Sequence, residues 1–171
     1  MDPNYTAELF DNKQHQIKDF RCGVYELDRY IKERAGQESR KGITAVYIIR
    51  EKTSAKICGY YTLSSCSIQL SNLTEDIKKK IPRYEALPAA LIGRFAVDIT
   101  FQGKRIGEQL LIDALARAYF LSKEIAIFAV VVEAKDESSR NFYERYGFIR
   151  SLESPLKLYI LMGTIKKLIE P

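Results

Sequence analysis

The stretch Leu91–Gly107, L-I-G-R-F-A-V-D-I-T-F-Q-G-K-R-I-G, constrains the fold more than any other part of the chain. An apolar run from Leu91 to Val97 stops at Asp98, and a short polar turn follows with Gln102, Gly103, Lys104 and Arg105. A long amphipathic segment then runs from Ile106 to about Ser122, with Ile106, Leu110, Ala114, Ala118 and Leu121 in one stripe. This order predicts a strand, a tight loop and a helix. The loop supplies a glycine, two cations and backbone N–H groups at the positive end of a helix dipole, a place that can hold a phosphate. Neither the G-x-x-x-x-G-K-[ST] loop nor the G-x-G-x-x-G fingerprint is present, so an ordinary strand-to-helix connection stays open beside a phosphate-binding turn.

Around this centre the periodicities predict a helix in Val24–Lys41, with Gly36 either ending it or lying inside a weak continuation. Ile43–Arg50 and Lys56–Leu70 are rich in β-branched and aromatic residues and read as a hairpin, Gly59 marking a bulge. Ser71–Pro88, with Lys78, Lys79, Lys80 and Arg83, is an irregular arm: a solvated helix and loop, or a surface facing substrate. Ala89–Val97 is the central strand, apolar nearly throughout. Ile125–Glu133 is a second buried strand, Glu137–Tyr146 a short helix closed by Gly147, and Leu156–Met162 a last strand before a basic tail. Strand, helix and strand in the middle make a parallel crossover, so the expected fold is a mixed α/β sheet in one domain, residues 1–171.

With 171 residues and 46% hydrophobic content the chain can bury a core without disulfides. Its net charge of +5 favours anionic partners such as RNA, a CoA-like ligand or an acidic protein without choosing between them. Cys22, Cys58 and Cys66 match neither a disulfide framework nor a zinc site, and no metal is expected. The opening M-D-P-N-Y has no signal-peptide pattern, and no apolar run is long enough to span a bilayer, so a reduced, cytoplasmic protein is expected with no membrane partner.

V-D-x-x-x-Q-G-K-x-I-G, a helix, a V-V-V-E strand and S-x-N-F-Y-E-R-Y-G-F together resemble the GNAT N-acetyltransferases, closely from Leu91 to Phe148. The resemblance implies the GNAT fold, a mixed sheet splayed around acetyl-CoA and flanked by helices. It implies that the backbone of Phe95, Ala96 and Val97 pairs with the pantetheine arm. It also implies that the backbone of Gln102, Gly103, Lys104, Arg105, Ile106 and Gly107 wraps the pyrophosphate. The family pattern is usually Q/R-x-x-G-x-G/A, and Arg105 stands here in place of its middle glycine. In the family, the tyrosine matching Tyr143 lies near the thioester sulfur, where a phenol can protonate the departing thiolate. Tyr146 shares a helix face with it. The Val97 N–H is the expected donor to the oxyanion.

A lysine substrate, with an ordinary pKa of about 10.4, needs a base, whereas an α-amine at about 7.7–8.0 needs little help. The central strand holds no carboxylate; Glu133 ends a buried strand as a cap or pair, and His15 is expected at the surface. A low-pKa amine is therefore the expected acceptor. F-R-C-G-x-x-x-L-D-x-x-I (Phe20–Ile31), G-Y-Y-T-L (Gly59–Leu63) and L-I-G-R-F-A-V-D resemble more narrowly the acetyltransferase toxins of bacterial toxin–antitoxin pairs. That resemblance implies charged tRNA as substrate, a small ribbon–helix–helix antitoxin and a homodimer. It offers Arg94 as an RNA contact, with an ion pair as the other use of its charge, and Lys78, Lys79, Lys80 and Arg83 as further contacts. The alternatives are an acetyltransferase for a small-molecule or protein amine, and a non-catalytic module binding CoA or RNA.

Overall fold

Segments with a period of two form strands and those with a period of 3.6 form helices, as local patterning requires. In a computed structural model, which describes residues 2–54 and 56–170, the chain-order elements are β1 (Tyr5–Leu9), α1 (Tyr25–Glu33), α2 (Ala35–Arg40), β2 (Ala45–Glu51) and β3 (Ile57–Gln69). A 3-10 turn (Leu70–Asn72), α3 (Glu75–Lys78), β4 (Ala86–Val97), α4 (Ile106–Leu121) and β5 (Ala129–Glu133) follow. The chain closes with α5 (Glu137–Glu144), β6 (Ile149–Arg150), β7 (Lys157–Leu161) and α6 (Met162–Ile169). The strands form one mixed sheet in the order β1-β2-β3-β4-β5-β7-β6. No helix among the described residues is long and apolar enough to cross a membrane.

Residues divide into two compact units, Met1–Ser64 with Gly93–Ala114, and Ser65–Ile92 with Leu115–Pro171. The divisions fall inside β3, after Ser64, inside β4, after Ile92, and inside α4, after Ala114.

In the first unit β2 and β3 form the expected antiparallel hairpin. Its register slips between Ile49↔Gly59 and Arg50↔Ile57, so the bulge falls at Cys58, beside the glycine that announced it. The core gathers Phe20, Tyr30, Ile31, Val46, Ile48 and Tyr60, with Ala96 of β4. The predicted single helix over 24–41 is instead two. α1 ends at Arg34 (φ −116°) and α2 starts beside it. Eight residues of straight helix rise about 12 Å, and the bend lets Glu38 of α2 accept a hydrogen bond of 3.0 Å from the Tyr30 hydroxyl. β1 was not expected. It pairs with β2 from Tyr5↔Glu51 to Leu9↔Tyr47; its Y-T-A-E-L alternation spans only five residues and is not mirrored in burial, since Tyr5 to Glu8 are all half-buried and Leu9 is exposed.

In the second unit, β4 and β5 pair in parallel from Ala89↔Ala129 to Ile92↔Val132, which bears out the crossover. β5 and β7 are antiparallel, as are β7 and β6. Ile68, Leu73, Leu87, Ala89, Val131 and Tyr159 form the core. β5 starts at Ala129 rather than Ile125, because the N–H groups of Lys123, Glu124 and Ile125 turn back onto carbonyls of α4. Gly147 ends α5 at φ +88°, the left-handed cap its position predicted.

Candidate active site

β4 leaves the parallel ladder at Ile92, and in the first unit its remaining residues are held from the β3 side. The Arg94 N–H donates to Thr62 Oγ1 (2.9 Å), and the Asp98 N–H donates to the Cys58 carbonyl (2.9 Å). The Ala96 carbonyl lies 2.8 Å from the point a Cβ on Gly59 would occupy, and Leu110 Cδ1 lies 2.7 Å from it. Close approach of β3 thus requires a glycine at 59. The three residues after it each brace a different element. Tyr60 donates to the Leu27 carbonyl of α1 (2.8 Å), Tyr61 to Asp113 of α4 (2.6 Å), and Thr62 accepts from β4. The G-Y-Y-T sequence is therefore scaffolding for the strand and helix on either side of the turn.

The turn begins at Asp98, which is 2% exposed. Burial pushes its carboxyl pKa up, but hydrogen bonds from the Thr100 hydroxyl and from the N–H groups of Arg21 and Thr100 outweigh this and hold it below the usual aspartate value. Phe101 and Gln102 donate their N–H groups back to the Asp98 carbonyl. Gly103 takes φ +76°, and Arg105 takes φ +60°, alone among the described non-glycine residues in being left-handed. Gln102, Gly103, Lys104 and Arg105 are exposed, Ile106 is buried and Gly107 half-buried. The first intrahelical bond of α4 runs from the Gln109 N–H to the Arg105 carbonyl, so the amides of Arg105, Ile106, Gly107 and Glu108 precede it at the positive end of the helix. Exposed amides, two exposed cations and two left-handed residues fit an anionic diphosphate.

Arg105 holds its left-handed backbone at a cost of roughly 1–2 kcal/mol for a residue with a Cβ, a strain of the kind kept where function needs it. Arg105→Gly is expected to leave folding stability equal or raise it by up to about 1 kcal/mol, after the entropy cost of glycine. It should also raise the KM for acetyl-CoA several-fold as one cation is lost. Thermal denaturation and steady-state kinetics on the same variant check both.

Arg94 is committed to protein partners. Its guanidinium stacks 3.7 Å from the centre of the Tyr30 ring, and its Nη1 lies 3.9 Å from Glu38 Oε2. Burial, then the bond to Glu38, push the Tyr30 phenol up to about 12. Between the two uses considered for Arg94, the geometry presents the ion pair. His15 is not at the surface as expected. Its side chain is 10% exposed, stacks on Phe10, accepts from the Asp11 N–H through Nδ1 and sits 2.9 Å from Glu8 through Nε2. A cavity of about 640 Å³ in the first unit, lined by His15, Arg50, Lys56 and Asp98 among others, contains none of the predicted site residues.

In the second unit Tyr143 lies on α5, whose start is capped by Asp136 accepting from the Ser139 N–H (2.7 Å). Its ring packs 5.3 Å from both Phe142 and Phe148 and is 6% exposed, whereas Tyr146 is half-buried. Burial pushes the Tyr143 phenol well above its ordinary pKa, so it keeps its proton across the physiological range. Lys78 is paired with Glu75 at 2.9 Å, while Lys79, Lys80 and Arg83 are exposed beside exposed Tyr84. Glu133 is exposed at the end of β5, opposite Lys157 in register.

Phe20–Ile31, whose purpose the sequence did not disclose, is explained by contacts. Phe20 packs edge-on against Tyr60 (5.5 Å), the Cys22 N–H donates to Asp28 (2.7 Å), and Gly23 turns at φ +90°. A ring contact between residues forty positions apart leaves no local signature.

Three similarities to known proteins bear on this site. A tRNA-acetylating toxin of Mycobacterium tuberculosis is 28% identical over 96% of this chain and 97% of its own. The crystal structure of a tyrosine-to-phenylalanine variant of KacT matches with a TM-score of 0.90 at 29% identity, over 96% of this chain and 99% of that one. The structure of AtaT complexed with acetyl-methionyl-tRNAfMet matches with a TM-score of 0.89 at 28% identity, over 96% and 98%. The acetyltransferase (GNAT) domain model matches residues 42–150, from before the β2–β3 hairpin through β4, the turn, α4 and Tyr143, and the chain therefore belongs to the GNAT acetyltransferase family.

Proposed function

We propose that this enzyme transfers the acetyl group of acetyl-CoA to the α-amine of aminoacyl-tRNA and so acts as a translation-blocking toxin. The observation that carries this is the likeness, over nearly the whole chain, to AtaT held with an acetylated aminoacyl-tRNA. The basic charge and the absence of a carboxylate from the central strand agree with it. An α-amine is about half neutral near pH 8 and reacts without a dedicated base.

Acetyl-CoA supplies the acetyl group as an activated thioester. The backbone from Gln102 to Gly107 would wrap its pyrophosphate, through N–H groups other than those of Gln102 and Lys104, which donate to the Asp98 and Phe101 carbonyls, and the backbone of Phe95, Ala96 and Val97 would hold its pantetheine arm. The Val97 N–H would donate to the acetyl oxygen as charge grows there. Tyr143 would give its phenolic proton to the departing sulfur. The proton moves as the C–S bond breaks, and the proton that the attacking nitrogen loses once the C–N bond has formed restores the phenol, so no buried phenolate is left. Exposed Lys79, Lys80 and Arg83 are suited to tRNA phosphates. Lys78 and Arg94 would contribute only by leaving Glu75 and Glu38. A ribbon–helix–helix antitoxin as neutralising partner, a homodimer and a cytoplasmic location belong to the same proposal.

The test is mass spectrometry of bulk charged tRNA after incubation with protein and acetyl-CoA. N-acetylated aminoacyl ends are the expected product. Unmodified charged tRNA together with brisk acetylation of polyamine or peptide amines would move the assignment to a small-molecule or protein acetyltransferase. Binding of CoA or RNA without turnover on any amine would make the protein a binding module.

A further inference from the structure

The exposed part of the turn, Gln102 to Arg105, has little packing of its own: a Cβ on Gly103 would meet nothing within 4 Å. A site built from backbone amides works only if those amides are already aimed, because ordering a loose loop on binding subtracts from affinity. Something else in the first unit must therefore hold it.

The Arg21–Cys22 segment meets the turn through three hydrogen bonds. The Arg21 N–H donates to Asp98 Oδ2 at 3.0 Å, and the Ile99 N–H returns to the Arg21 carbonyl at 2.7 Å. Gln102 does not point its amide outward. Its Nε2 donates to the Cys22 carbonyl (3.2 Å) and to the Val97 carbonyl (3.1 Å), so one side chain ties the turn to β4 and to the segment before α1. The other Asp98 oxygen takes both the N–H and the hydroxyl of Thr100, at 2.9 and 2.6 Å. The segment is itself anchored, because Asp28 of α1 accepts from the Cys22 N–H and Phe20 sits in the core at 3% exposure. Arg21 and Cys22 offer only backbone to the turn; the side chains doing the holding are Asp98 and Gln102.

We propose that Asp98 and the side chain of Gln102 are positioning residues for acetyl-CoA, clamping the turn to the backbone of Arg21 and Cys22 so that its amides converge before the cofactor arrives. The inference holds only if the turn carries the pyrophosphate, as proposed above. The clamp sets cofactor affinity and has no part in the transfer step, so binding and turnover should separate.

Gln102→Met keeps length and removes both donors. Two neutral hydrogen bonds are lost, and the dissociation constant for CoA, measured by titration calorimetry, is expected to rise roughly tenfold. The KM for acetyl-CoA should rise with it while kcat at saturation stays within twofold of wild type. Asp98→Asn should act in the same direction, but Asp98 is buried and the change also lowers stability, so the exposed Gln102 carries the test. Gln102→Glu sets a carboxylate against two carbonyl oxygens, and a protonated carboxyl regains one donor. Its CoA affinity relative to wild type should recover as pH is lowered toward 5, a behaviour that loss of packing alone would not produce. Arg105→Glu is the companion, reporting on the turn without touching the clamp. If Arg105→Glu abolishes CoA binding while Gln102→Met binds like wild type, the clamp is refuted and the turn's role stands. If both bind like wild type, the pyrophosphate assignment falls and the clamp with it.

Discussion

Tyr143→Phe is expected to lower kcat by a factor of roughly 10²–10⁴, the usual contribution of a positioned general acid, and to leave CoA binding unchanged. The substitution removes one oxygen and keeps a ring that is buried and packed between Phe142 and Phe148. Removing a hydroxyl and any one hydrogen bond it makes changes stability by about 1 kcal/mol, small beside the effect on rate. The phenol suits the acid role because burial keeps it protonated, and nothing else has to deliver the proton at the moment the sulfur leaves. Tyr146→Phe, three residues on and half-buried, is the control and should turn over like wild type. Steady-state kinetics on charged tRNA, with calorimetric titration of CoA for each variant, decides the matter. A kcat within twofold of wild type for Tyr143→Phe would remove the acid from this residue.

The largest loss of stability is expected from a change of one methyl group, Gly59→Ala. The added Cβ would stand 2.7 Å from Leu110 Cδ1 and 2.8 Å from the Ala96 carbonyl oxygen. Leu110 is fully buried on α4 and has little room to turn aside, and the carbonyl is backbone and cannot rotate away. β3 and β4 must separate, and the Asp98 N–H bond to Cys58 lies within reach of that strain. Overpacking of this kind costs about 2–4 kcal/mol, which for a chain of this size lowers Tm by roughly 5–15 °C. Because Ala96 precedes Val97 and the turn, the KM for acetyl-CoA should rise as well. Gly42→Ala separates crowding from backbone strain: Gly42 sits at φ +68° with nothing within 4 Å of its Cβ position, and the cost should be near 1 kcal/mol. Thermal denaturation of both variants tests the comparison, and equal shifts would show that packing between β3 and β4 is not what requires glycine at 59.

Reading the chain from its residues alone was most secure where the physics is local. The apolar run into Asp98, the turn glycine at 103 and the stripe from Ile106 produced strand, turn and helix where the structure has them, because periodicity and turn chemistry act over a few residues. The parallel crossover, the β2–β3 hairpin and the helix cap at Gly147 were legible on the same grounds. Only the tertiary structure decided what several of the same residues do. Gln102 turns its amide inward to two carbonyls, one of them eighty positions away in the chain. Arg94 stacks on Tyr30 and pairs with Glu38 because a break at Arg34 swings α2 into reach. His15 is covered by Glu8 and Phe10, and β1 exists because β2 offers it an edge. A hydrogen bond between distant segments depends on where the fold delivers two backbones, and no pattern within either segment records that meeting.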